Sequence, residues 1–124
     1  MNKQNITIWG RELFLNITYD CYPGEAILDT QKEALQRILA VPAVIEESLK
    51  SVENYIMKDN AETVGNVIDN IFKYVMPKSL FVPRDNEHMS VAVICDYKFD
   101  PEHGLAVVFE DEKLKAIGSQ DIIL

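Results

Sequence analysis

Asp100, Glu102 and His103, within the run KFDPEHGLAVVF over residues 98–109, are residue types that hold metal ions or move protons. Joined by Asp96 and by His88 from the preceding strand, they would offer a divalent cation oxygen and nitrogen ligands. The same run also has the chemistry of a turn. Asp100 and Pro101 suit the first two positions of a type I turn, and Gly104 stands where a left-handed residue closes a G1-bulge hairpin. Adjacent Glu and His in a tight turn diverge, and neither a His-x-x-x-His nor a paired-cysteine motif supplies a ligand framework. The expectation is therefore a structural turn, with a metal site at Asp100, Glu102 and His103 as the alternative.

A thiol nucleophile would need Cys95 or Cys21 beside His103 or His88. Both cysteines fall in phase with the core-facing residues of expected strands, where a thiol is inert. Glu46-Glu47 and Glu110-Asp111-Glu112 read as solvated surface, and the isolated glycines form no phosphate loop. No residue is assigned a catalytic role and no cofactor is expected. Trp9, Phe14 and Tyr22, with Phe81, fall off the core phase and are candidates for a partner-binding surface. The alternative for that surface is cover by loops or by the terminal Ile122-Ile123-Leu124.

The elements that position these residues follow from period and punctuation. Residues 6–9 and 12–22 read as two strands joined by a type II′ turn at Gly10-Arg11, with Leu13, Leu15, Ile17, Tyr19 and Cys21 on one face. Thr30 and Glu33 form a capping-box pattern ahead of a helix carrying Leu35, Ile38 and Leu39. Pro42 ends it, and Ile45, Leu49, Val52 and Ile56 define a second helix to about Lys58. Val67, Ile68, Ile71, Phe72 and Val75 define a third, from about Asn66 to the residue before Pro77. From Ser79 the period becomes strand-like, and Val91–Cys95 is apolar on both faces. The expected fold is α+β: one mainly antiparallel sheet, built from an N-terminal hairpin and a C-terminal meander, with about three helices inserted between them and packed on one face.

A chain of 124 residues reads as a single globular domain, 1–124. Twelve basic against twenty acidic residues give a net charge of -8, and the basic residues do not cluster along the chain, which disfavours nucleic acid and anionic membrane surfaces. No apolar run reaches the length of a signal peptide or a membrane span, so the expected compartment is the cytoplasm. Three readings follow. One is a protein-binding domain whose acidic and aromatic surface meets a partner of basic character. Another is a small metal-dependent or thiol enzyme centred on His103. The last is a domain whose edge strands pair into a homodimer.

The start WGRELFLNITYDCY and the stretches NIFKYVMPKSLFV and ICDYKFDPEHGLAVVFEDEKLKAIGSQDIIL carry a resemblance across most of the chain. They resemble an uncharacterised family of small acidic bacterial proteins, distantly similar to immunity proteins of polymorphic toxin systems. The shared pattern is a strand, an Asp-Pro-Glu-His-Gly type turn, a strand, and Ile117-Gly118 with Asp121 soon after. The resemblance implies a bacterial, cytoplasmic, non-enzymatic, protein-binding class, and it assigns no residue a role.

Overall fold

Alternation of apolar and polar residues pairs β1 (Lys3–Ile8) with β2 (Arg11–Tyr19) in antiparallel register, Ile6 opposite Leu13 and Ile8 opposite Arg11. The computed structural model describes residues 3–84 and 87–124. The turn between the strands is Trp9-Gly10, not Gly10-Arg11: both residues have positive φ, 53° and 81°, the signature of a type I′ turn. A left-handed tryptophan is unfavourable by itself. It is held by burial, with the ring 6% exposed, its Nε1–H donating to Ser48 Oγ at 3.1 Å and Phe72 packed at 6.1 Å. Trp9 is thus a core residue and not the surface aromatic expected from strand phase.

Three helical segments follow: α1 (Asp29–Leu39), α2 (Pro42–Glu47) and α3 (Leu49–Val64). The capping residue of α1 is Gln31 and not the Thr30–Glu33 pair: its Oε1 accepts the N–H of Leu28 at 2.9 Å. Pro42 opens α2, where its missing N–H costs nothing. Only Ser48 separates α2 from α3, so the chain has two helical units, α1 and the bent α2–α3 run. Asn60 kinks α3 with non-helical φ and ψ, and its Nδ2 bonds the Ile56 carbonyl at 2.9 Å and the Tyr97 hydroxyl at 3.2 Å.

The third helix expected from Asn66 is absent. A loop leads to a 3-10 turn (Ile71–Lys73), where Asn70 Oδ1 accepts the Phe72 N–H at 3.1 Å, and the chain extends at once into β3 (Val75–Val82). Val75 and Ile71 are buried as expected, but Val67 is 71% exposed. The apolar spacing fitted a helix, yet β3 finds strands on both sides to satisfy its backbone, and Pro77 fits at a bulge between Pro77 and Ser79.

The remaining strands are β4 (Val91–Tyr97), β5 (Leu105–Glu110) and β6 (Lys113–Gly118). The six strands lie in sequence order in one sheet, antiparallel except for the parallel β2–β3 pair. The fold is therefore mixed α+β with a mostly antiparallel sheet. The helices lie between the two parallel strands in sequence, as a parallel connection requires. Ala34, Ile38, Ile45, Val52 and Ile56 from the helices close over Ile8, Leu15, Leu80, Val93, Val107 and Phe109 from the sheet. Among the described residues no helix is long and apolar enough to cross a membrane.

Candidate functional site

The run from Asp100 to Gly104 is a closed turn. The Asp100 N–H bonds the Tyr97 carbonyl at 3.3 Å, and the Gly104 N–H bonds the Asp100 carbonyl at 2.8 Å, a wider loop than the expected type I turn and bulge. Gly104 is left-handed at φ 64°. Asp100 Oδ1 accepts the His103 N–H at 3.2 Å and faces His103 Nδ1 at 3.1 Å. The backbone N–H and then the imidazole of His103 hold the Asp100 carboxyl below its usual range. Both side chains are thereby used within the turn, and Glu102 is exposed.

The other proposed ligands are elsewhere. Asp96 stands 3.5 Å from Lys78 Nζ, and His88 lies before β4, its carbonyl bonded by the Asp111 N–H at 2.8 Å. His88 and His103 flank opposite ends of a strand roughly 20 Å long. Among the described residues, no group of three His, Cys, Asp or Glu side chains gathers where a cation could be held.

The turn instead seats the end of the chain. The Gln120 N–H bonds the His103 carbonyl at 3.1 Å, and its Nε2 donates to the Cys95 carbonyl at 3.1 Å. A β-carbon at Gly104 would lie 2.2 Å from Gln120 Nε2 and 2.7 Å from the Cys95 oxygen. Glycine is therefore required here by close approach as well as by φ.

Of the thiols, Cys95 is fully buried on the helix side of β4, and burial pushes its pKa far up. Cys21 lies beyond the end of β2 and is half-buried, not a core-facing strand residue, with its Sγ 3.8 Å from Gln31 Oε1.

Phe14 and Tyr22 are exposed, at 63% and 64%. Phe14 lies on the sheet face away from the helices, with Lys3 Nζ 5.4 Å from its ring centre. Tyr22 belongs to a loop clasp, with the Arg84 guanidinium 4.3 Å over its ring. On the face that Phe14 shares, Ala92, Ala106 and Val108 form a second buried cluster, flanked by half-buried Phe81, Ile94 and Ile123. The pairs Phe81–Ala92, Ala92–Val108 and Ile94–Ala106 bring these residues side by side across three strands. Ile123 from the C-terminal turn packs against them, and Ile122 and Leu124 remain exposed. Apolar residues at successive positions of Val91–Cys95 and Leu105–Phe109 were the signal for this two-faced burial.

No curated protein and no solved structure matches the chain. A family model described as Domain of unknown function (DUF6985) matches residues 2–124, and the chain belongs to that family.

Proposed function

We propose that this domain binds another protein, without catalysis, through the sheet face that the helices leave bare. The observation that carries the reading is the second apolar cluster, in which Phe81, Ile94 and Ile123 stand over Ala92, Ala106 and Val108. A sheet with apolar residues on both faces calls for a layer on each, and among the described residues the helices supply only one. Phe14 extends the same face and Tyr22 is exposed in the loop after β2, and both are partner contacts in this reading, whereas Trp9 is withdrawn to the core.

The helical side is acidic, with Asp29, Glu33, Glu47, Asp59 and Glu62 exposed there, and Glu12 and Asp96 also stand on the bare face, in strand phase with Phe14 and Ile94. A partner with an apolar patch and basic character is then steered at long range by the acidic side and held at short range by the sheet. The turn and chain ending resemble an uncharacterised bacterial family that is itself distantly similar to immunity proteins of polymorphic toxin systems, and this supports a bacterial toxin domain as that partner, covered in the cytoplasm.

A photo-cross-linking residue at Phe81 or at Glu33, introduced in cells of the source organism, tests the reading. An adduct with one protein from position 81 and none from 33 supports it. The adduct must disappear in the folded double variant Phe14→Glu, Ile94→Glu. Equal adducts from both positions, or none from either, would overturn it. A symmetric adduct between two copies would replace the partner with a homodimer.

A further inference from the structure

In a chain of net charge -8, three cations lie toward one end of the sheet with no ion pair to a carboxylate among the described residues: Arg11, Lys73 and Lys98. They lie far apart in sequence and are brought together by the parallel β2–β3 pairing and the β3–β4 pairing. Each rests near an aromatic ring or an open cleft. The Arg11 guanidinium lies 4.1 Å over Phe72, and Lys98 Nζ lies 5.6 Å from the centre of Tyr74.

Lys73 and Lys98 line a cleft of about 490 Å³ whose wall is Phe72, Tyr74, Met76 and Tyr97, with Pro101 beside them. Its one acidic lining residue, Asp96, is offset by Lys78 at 3.5 Å, and of the two carboxylates whose field reaches Tyr97, Asp59 and Asp100, the second is paired with His103. The aromatic wall is fixed in advance: Tyr74 stacks on Phe99 at 5.7 Å and 15°, and Tyr97 meets Phe99 edge-on at 5.7 Å and 80°. A wall that needs no ordering on binding loses little entropy when a ligand arrives.

We propose that this cleft binds a short acidic peptide segment. Lys73 and Lys98 receive its carboxylates, and Phe72, Tyr74 and Met76 receive an apolar side chain beside them. The two lysines of the cleft offer complementary charge in a protein whose net charge is -8. The volume lies within the roughly 300–1,000 Å³ of sites that enclose ligands of drug size, equivalent to a few peptide residues. A long polyanion is disfavoured, since every charge beyond the cleft meets the net negative field of the protein. This inference stands on the cleft alone and does not depend on the bare sheet face.

The test is an amide-resolved NMR titration with the capped peptide Glu-Phe-Glu-Glu, against capped Gln-Phe-Gln-Gln and against benzoate. Shifts are expected at Lys73, Tyr74, Asp96 and Lys98. Affinity is expected to weaken about fivefold between 50 and 500 mM salt. It is expected to weaken about tenfold in Lys98→Glu, a change on an exposed side chain. Lys73→Glu is the second variant should Lys98→Glu unfold. Three results would overturn the proposal: no localised shifts at millimolar peptide, equal binding of the uncharged peptide, or full affinity in both charge-reversed variants. Benzoate binding as tightly as the peptide would likewise overturn it, in favour of a small carboxylate.

Discussion

Gln31 Nε2 donates to the main-chain oxygens of Asp20 and Val82, at 2.9 and 3.2 Å, and so ties α1 to the ends of both parallel strands. The side chain is fully buried, and its Oε1 also holds the Leu28 N–H at 2.9 Å. Gln31→Ala strips the Leu28 N–H at the helix start and the Asp20 carbonyl of these bonds at once, while the Val82 carbonyl keeps the Asp20 N–H. A loss of about 2–3 kcal/mol in unfolding free energy is expected, read from the urea midpoint at unchanged slope. Wild-type stability in that variant would show that water substitutes freely for the amide.

At Gly104, alanine meets both the Gln120 amide and the Cys95 carbonyl, and it must also adopt φ 64°. Gly104→Ala is expected to cost about 2–4 kcal/mol. Pairing it with Gln120→Ala relieves the side-chain clash but neither the carbonyl clash nor the backbone strain. A double-mutant cycle by thermal unfolding should therefore recover only part of the loss.

Glu25 is clasped by Arg84, whose Nε and Nη2 lie 2.7 and 2.8 Å from its two oxygens. Those bonds, then the Tyr22 N–H, lower its pKa to about 2 from an ordinary 4.5. A depressed folded value stabilises the fold fully above the unfolded pKa, and that contribution disappears as pH falls from 4.5 toward about 2. Side-chain carbon NMR should place the Glu25 midpoint near the lower value, and Glu25→Gln should flatten the acid limb of stability in that window. A midpoint at the ordinary value would show that the clasp does not persist in solution.

The two thiols should react at different rates. Burial keeps Cys95 protonated, whereas Cys21 is partly open to solvent. A disulfide reagent is expected to label one thiol per folded chain quickly and the second only as fast as the protein opens. Rapid labelling that survives Cys21→Ser would contradict the packing of β4.

Strand β2 was legible because Leu13, Leu15 and Ile17 alternate with Glu12, Asn16 and Thr18, and Pro42 marked its helix boundary correctly. The second half of β3 was legible from Ser79 onward, but its start was not, since Ile68, Ile71, Phe72 and Val75 fit a helical period that runs past Val75, where the strand begins. Trp9 was misplaced because strand phase says nothing about a left-handed turn, which swings the ring under Ser48 and Phe72. For Gln31 the signal was present. It lies in helical register with Ala34, Leu35 and Ile38, the buried stripe of α1, so a polar residue there had to find partners inside. The histidine turn was readable from its own chemistry, but the docking of Gln120 and the gathering of Arg11, Lys73 and Lys98 depend on contacts no local pattern encodes.

The parallel register that sets Asn16 beside Ser79 also has a consequence for biosynthesis. At ribosomal rates of about 5–20 residues per second, the first hairpin waits roughly 3–12 s for its neighbouring strand to be made. Throughout that interval one flank of the hairpin has unmatched amides and carbonyls, while the later strands each find their mate as soon as they are synthesised. Nascent chains that stall before Val82 are thus the form in greatest need of chaperone protection against stray pairing.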